Sequence, residues 1–249
     1  MYEFLTDNNT VVPSVTAQKM KEIDKMAVSE TGPNLYQMME NAGRNIAIIS
    51  RRFVKRIKKR NPVVLVMAGT GGNGGGGICA ARHLANHGMD LLVSVTDTDR
   101  LKGVTEYQLS VMKNSGAALF NFSEVDNLKT PDLIIDSVLG YSLNGVPEGR
   151  ALDFIYWMND QPVPVLSLDV PSGIDATSGE APGEFVKPDV TLTLALPKTG
   201  LKYCTTGKLF LGDIGIPSKT FIEAGINYQP PFSGSYVIDL KRSKESSRF

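Results

Sequence analysis

The chain has 249 residues, with 26 lysines and arginines set against 26 aspartates and glutamates. A formal charge of zero argues against a surface built for nucleic acid or an anionic membrane, and 42% hydrophobic content is ordinary for a soluble globular protein. The opening MYEFLTDNNT has no basic segment ahead of an apolar core, no apolar run nears the roughly 20 residues of a membrane span, and Cys79 and Cys204 make no disulfide framework. These bounds predict a cytoplasmic protein without a membrane or nucleic-acid partner.

Residues 1 to 13 are polar and read as a loose lead. Thr16 is placed to cap a helix from about Ala17 to Glu30, with Met20, Ile23 and Ala27 as its apolar stripe. A second helix is predicted from Asn34 to about Lys59. Gly43 in its middle costs about 1 kcal/mol against alanine, which predicts close packing of another backbone there. The helix ends in RRFVKRIKKR, Arg51 to Arg60, whose basic residues read as a solvated C-terminal face.

Pro62 then opens the run Val63 to Ala68, with no polar residue inside it, as suits a strand buried on both faces. Gly69 to Gly77 follows, where only Thr70 and Asn73 are not glycine, and Ile78 to Asn86 has helical apolar spacing. Strand, glycine loop and helix are the parts of a phosphate site: glycines admit the anion to the backbone, and a helix start offers free N–H groups. There is no Gly-Lys-Ser/Thr ending, so a nucleotide-triphosphatase loop is not expected.

Further strands are predicted at Leu91 to Val95, Ala117 to Phe120, Asp132 to Val138, Val163 to Leu168 and Val190 to Ala195, with helices from about Val104 to Asn114 and Ala151 to Met158. Short β-like runs follow at Lys208 to Leu211 and Tyr236 to Leu240. No internal repeat or linker is visible, so residues 1–249 read as one domain. The alternation implies a parallel sheet covered on both faces, with ligand beyond the carboxyl ends of its strands. The glycine loop, Asp136, the loop from Gly140, Asp169 to Ser172 and Lys198 all fall at that edge.

Several of these stretches together resemble one family. LYQMMENAG (Leu35 to Gly43), the glycine loop with ICAARHL, IIDSVLGYSLNG (Ile134 to Gly145), LDVPSGIDATSG (Leu168 to Gly179) and ALPKTGL (Ala195 to Leu201) are similar to the YjeF N-terminal domain, in matching order over about residues 16 to 220. The resemblance implies a Rossmann-like three-layer αβα sandwich with a mainly parallel central sheet. It also implies an NAD(P)H-hydrate epimerase, an isomerase of cofactor repair that interconverts the R and S epimers of hydrated NADH and NADPH. A potassium ion is implied at Asn73, Asp136 and Ser172. Substrate contacts are implied at Gly72, Asn73, Gly74, Gly75 and Gly76, at Gly140, Tyr141, Ser142, Leu143, Asn144, Gly145 and Val146, and at Asp169. The resemblance also points to a separate ATP- or ADP-dependent dehydratase as functional partner, and allows a homodimer.

The residue chemistry agrees with those implications. An amide oxygen, a carboxylate and a hydroxyl are hard donors that suit an alkali or alkaline-earth cation and not zinc. Epimerising a carbinolamine-like carbon needs loss and return of hydroxide, or ring opening, with an acid–base group beside it. Asp169, at a strand end before a proline turn, is the expected catalytic residue. Lys198 is expected to reach a phosphate, the alternative being a merely exposed loop lysine.

Two positions depart from the family loop GNNGGDG: Gly72 replaces an asparagine and Gly76 the aspartate. They favour, as second reading, a non-catalytic nucleotide-binding or scaffold module of the same fold. On the first reading they predict sound binding but reduced turnover, which Gly76→Asp would raise if the backbone admits a side chain. A Rossmann dehydrogenase is the third reading, weakened because Asp97, the nearest ribose-binding candidate, lies two residues beyond the second strand. His83 and His87, four apart, lack a third ligand for zinc, and Cys79 is expected to be a small buried residue facing the sheet.

Overall fold

The computed structural model describes residues 3–143 and 145–243. Its opening residues are not a loose lead. They form a hairpin, β1 (Glu3–Leu5) and β2 (Val11–Val12), joined by antiparallel pairing to the last strand of the chain. Phe4 and Val12 are buried there, two apolar side chains too few to show as a periodic pattern.

Helix α1 (Ala17–Met26) begins at Thr16, whose Oγ1 accepts from the Lys19 N–H at 3.1 Å. It widens into a short π-helical turn, Ala27–Thr31. Helix α2 (Leu35–Ile57) starts on a reciprocal cap: Asn34 Oδ1 accepts from Gln37 N–H, and Gln37 Oε1 accepts from Asn34 N–H. The central strand β3 (Val63–Ala68) is buried throughout, as its unbroken apolar run predicts.

The largest local departure follows. Helix α3 (Gly72–Ala85) starts six residues earlier than the predicted Ile78, so most of the glycine run is helix and not loop. Its five glycines cost on the order of 5 kcal/mol of helix propensity against alanine. Tertiary packing overrides that cost. A side chain at Gly74 would collide with the Gly69 carbonyl, and one at Gly77 with the Ser137 hydroxyl. Gly43 of α2 does meet a neighbouring helix as expected, since a Cβ there would strike Cys79 and approach the Ala80 nitrogen at 3.0 Å. Cys79 therefore faces α2 rather than the sheet.

The remaining elements are β4 (Asp90–Val95), α4 (Gly103–Met112), β5 (Ala118–Leu119), a 3-10 turn (Phe122–Asn127), β6 (Leu133–Ser137), α5 (Gly149–Asn159), β7 (Val165–Leu168), β8 (Val190–Leu194), α6 (Tyr203–Thr206), β9 (Lys208–Gly212), α7 (Ser218–Glu223) and β10 (Val237–Ser243). Together the strands form one ten-stranded sheet in the order β2-β1-β10-β9-β8-β7-β6-β3-β4-β5. From β9 to β5 every pairing is parallel; β10, β1 and β2 are antiparallel. The expected α/β fold with a mainly parallel central sheet is what the chain adopts.

Alternation within strands sorts the layers. Val64 and Val66 of β3 pack with α2, α3 and α4, whereas Leu65 and Met67 pack with Phe154, Ile155 and Met158 of α5. On β9, Phe210 joins the first core, while Leu209 and Leu211 join α1 and α7. Strand order reverses between β3 and β6, because the chain runs outward through β4 and β5 and then returns. The carboxyl ends at that switch point splay apart and leave a crevice.

Candidate active site

A cavity of about 840 Å³ opens at this edge. Its wall takes in the turn after β3, the start of α3, the loop after β6, the ends of β7 and β8, and faces of α1 and α2.

Two buried aspartates stand at the carboxyl ends of adjacent strands. Asp136 of β6 is wholly buried and in register with Ser167 of β7. Its carboxylate accepts four hydrogen bonds: from Ser172 Oγ (2.5 Å), Ser172 N–H (3.0 Å), Ser167 Oγ (2.7 Å) and Val138 N–H (3.2 Å). Burial raises its pKa, and those four donors only partly offset the effect. Ser172 Oγ also lies 2.8 Å from the Leu139 N–H and 3.2 Å from the Leu139 carbonyl. The Asn73 amide donates to the same carbonyl at 3.0 Å. Asn73, Asp136 and Ser172 are thus gathered around Leu139, although Asn73 does not bond Asp136 directly. Asn73 reaches the cavity wall; Asp136 and Ser172 sit behind it.

Asp169 follows β7 with φ 67°, a left-handed conformation that few side chains adopt, and Ala195 after β8 repeats it with φ 60°. Non-glycine residues held this way cost about 1–3 kcal/mol each and gather at functional sites. The Asp169 N–H donates to Leu192 O, and its Oδ1 accepts from the Leu194 N–H at 3.3 Å and from Lys198 Nζ. Lys198 is 1% exposed, so it is no surface lysine. Its Nζ also donates to Leu194 O at 3.0 Å and sits 5.4 Å from the centre of the Tyr141 ring. A bridge between Val15 and Lys198 ties the N-terminal segment to this loop.

Of the expected substrate contacts, Gly72, Asn73, Gly140, Tyr141, Ser142, Leu143, Val146, Asp169 and Lys198 line the cavity. Gly74, Gly75 and Gly76 do not: they are buried inside α3. Gly145 is exposed beyond the wall, and Asn144 lies outside the described residues. Gly71 caps α3 without a side-chain hydrogen bond, so the first N–H groups of the helix lie at the wall without a side-chain acceptor.

Sequence reasoning missed Asp24 of α1, whose carboxylate accepts from the Tyr141 hydroxyl and which lines the cavity. It also missed Arg100 and Arg150, two cationic side chains at the rim. The stripe Met20, Ile23, Ala27 marked the core face of α1, but no local signal marked Asp24 beside it. Asp97 is also at the wall, with Oδ1 accepting from the Asp99 N–H at 3.0 Å.

The other polar cluster is structural. Glu40, Cys79 and His83 come together between α2 and α3, but Arg82 Nη2 lies 2.6 and 2.8 Å from the two Glu40 oxygens, 3.4 Å from Cys79 Sγ and 3.5 Å from His83 Nε2. That guanidinium takes the place a cation would need. Burial pushes the Cys79 thiol up to about 12, so it is an unreactive thiol at neutral pH. His87 approaches Arg51 instead and makes no pair with His83.

A family model described as YjeF-related protein N-terminus matches residues 35–200. The chain belongs to this family. It is 47% identical to a Dehalogenimonas lykanthroporepellens protein named NAD(P)H-hydrate epimerase, over 98% of this chain and 99% of that one. A Truepera radiovictrix protein of the same name is 33% identical over 85% of this chain and 94% of its own length. A Moorella thermoacetica protein named bifunctional NAD(P)H-hydrate repair enzyme Nnr is 32% identical over 82% of this chain, which spans 41% of that relative. Among solved structures, yeast ynu0, YNL200c, shares the fold with a TM-score of 0.79 and 24% identity, covering 92% of this chain and 100% of that one. Among the described residues no helix is long and apolar enough to cross a membrane.

Proposed function

We propose that this chain is an NAD(P)H-hydrate epimerase, interconverting the R and S epimers of hydrated NADH and NADPH. The observation that carries the reading is its near end-to-end likeness to a protein of that name, joined to a cavity that has an ion-paired aspartate in its wall. The free N–H groups at the start of α3 and the rim side chains Arg100 and Arg150 suit the pyrophosphate of a dinucleotide. The apolar wall from Met38, Met39 and Leu143 suits a base or the nicotinamide ring.

Epimerisation inverts the hydroxyl-bearing ring carbon. A proton given to that hydroxyl lets water leave while the ring nitrogen supplies the electron pair, and water returning to the opposite face gives its proton back. Protons and atoms balance over the cycle, so a single acid–base set suffices. Asp169 is the group we place at that carbon. Lys198 holds its carboxylate, and the left-handed backbone aims it.

Potassium fits as a resident cation. Asp136 is a buried carboxylate met only by neutral donors; the Ser172 hydroxyl on it also meets the Leu139 carbonyl, to which the Asn73 amide donates, and hydroxyl, carbonyl and amide oxygens are of the hard type such an ion takes. Asn73, Asp136 and Ser172 would hold it, and its charge would lower the electrostatic cost of an anionic ligand nearby. Gly72 stands open at the cavity wall, whereas the Gly76 position is packed against Leu168, 2.7 Å from where a Cβ would stand. An aspartate there would enter the core, so the expected rescue by Gly76→Asp is withdrawn.

The bifunctional relatives, more than twice the matched length, join this region to further sequence. They support an ATP- or ADP-dependent dehydratase as the functional partner that uses one epimer. The test is direct. Purified protein mixed with a single hydrate epimer should produce the other faster than the enzyme-free rate, followed by NMR or chromatography; no acceleration would leave the binding-module reading in its place.

A further inference from the structure

Asp24 is a carboxyl group in the cavity wall that the reaction above does not use and that is largely enclosed by protein. It comes from α1, far in sequence from Tyr141, Asp169 and Lys198, and meets them through one hydrogen bond, to the hydroxyl of Tyr141. Tyr141 stands in the loop after β6, lines the cavity, and lays its ring 5.4 Å from Lys198 Nζ. Lys198 in turn binds Asp169. Four titratable groups from four separate segments therefore form one chain: Asp24, Tyr141, Lys198, Asp169. It holds two carboxylates and one lysine.

We infer that Asp24 and Tyr141 form a proton relay working opposite Asp169, with Tyr141 facing the substrate and Asp24 behind it as the positioning residue that stores the proton. The inference rests on the epimerase reading. In the forward step Tyr141 gives its hydroxyl proton to the departing hydroxyl of the substrate while protonated Asp24 gives its own proton to Tyr141. Water leaves, and the tyrosine carries no charge before or after. When water returns to the other face, Asp169 takes the proton it sheds, and exchange with solvent water then returns a proton to Asp24 and removes one from Asp169, so the set is restored.

The physical setting suits a relay better than a lone acid. Burial raises the Asp24 pKa, opposed by the Tyr141 hydrogen bond and the Lys198 charge and reinforced by the Asp169 charge, so its acid form persists to higher pH than in water. The Tyr141 phenol is pushed up from its ordinary value by burial and by Asp24, which disfavours a free phenolate. A tyrosine that receives one proton as it gives another avoids that state. Tyr141, Lys198 and Asp169 are the charged or titratable groups that bear on Asp24.

Asp24→Asn separates proton storage from positioning, because an amide oxygen still accepts from Tyr141 but cannot supply a proton. Interconversion of a single epimer should fall about 100-fold in kcat for Asp24→Asn and for Tyr141→Phe, with KM within a few-fold. The double variant should be no slower than either single one. Wild-type kcat should decline as pH rises through the folded pKa of Asp24, and that limb should vanish in Asp24→Asn. Asp24→Glu should recover part of the rate. If wild type interconverts the epimers and Asp24→Asn keeps both its rate and its alkaline limb, the relay is wrong and the epimerase reading stands. If Asp24→Asn is slow only because its thermal unfolding or KM has shifted in proportion, Asp24 is structural. A wild type that does not accelerate interconversion overturns both.

Discussion

The ends of β6 and β7 hold two aspartates that are buried alike and stabilised in opposite ways. Asp136 is met by two hydroxyls and two N–H groups, with no basic side chain among its hydrogen-bond partners. Asp169 has its own cation in Lys198 and stands in the cavity wall on a strained backbone. Neutral donors fix the geometry of a carboxylate without cancelling its charge, which is the ground for the cation proposed at Asp136. A carboxylate paired with its own lysine is held in place at the wall, which is the ground for proposing Asp169 as the acid–base group. Adjacent strands of one sheet carry the two solutions because their carboxyl ends share a single edge.

The largest effect should come from Asp169→Asn. Asparagine tolerates the left-handed backbone, so the fold should persist, while loss of an ionisable group should cost about 10²–10⁴ in kcat. A variant with wild-type turnover would remove Asp169 from the chemistry and erase the contrast with Asp136.

Asp136→Ala should act on stability first. It strips the acceptor from four donors, two of them hydroxyls of wholly buried serines, and should cost on the order of 3 kcal/mol or more by thermal or denaturant unfolding. Unchanged stability there would mean the donors find other partners, and that the aspartate is not the centre of its own site.

The packing beneath Asp169 offers a third test. Gly76→Asp should put a carboxylate against Leu168, the residue just before Asp169, and lose about 3 kcal/mol together with activity. Gly72→Asn, where the nearest atom to a Cβ would be Met39 Cε at 3.9 Å, should stay within about 0.5 kcal/mol of wild type. Equal tolerance at both positions would show that α3 is not seated as tightly as its glycines imply.

The mildest effect is the most specific to Asp136. Its folded pKa is raised, so its contribution to stability is full below the unfolded carboxylate value and is lost as pH rises through the folded value. A cation beside it can offset that loss only where it is ionised. Potassium should therefore raise Tm at neutral pH, by about 2–4 °C for each kcal/mol, and leave it unchanged in acid. Asp136→Asn should abolish the difference. A potassium response that is the same at both pH values, or survives in that variant, would place the ion elsewhere.

The sequence alone determined the parallel sheet, because Val63 to Ala68 and the later apolar runs admit few other readings, and it placed Asp136, Asp169 and the glycine run at one edge. It also determined the family, through motifs whose order spans most of the chain. Only the tertiary structure decided what those residues do to one another. Helix propensity speaks against five glycines in the first half of α3, and only the close approach of Gly69, Met39, Leu168 and Ser137 explains the four from Gly74 to Gly77. Lys198 looks like a loop lysine until its carboxylate partner, 29 residues away, is brought beside it. Asp24 and Tyr141 are 117 residues apart, and nothing local to either announces the other. Periodicity reports which side of an element is apolar; the meeting of polar groups from different elements is set by the fold, where desolvation makes each pairing matter.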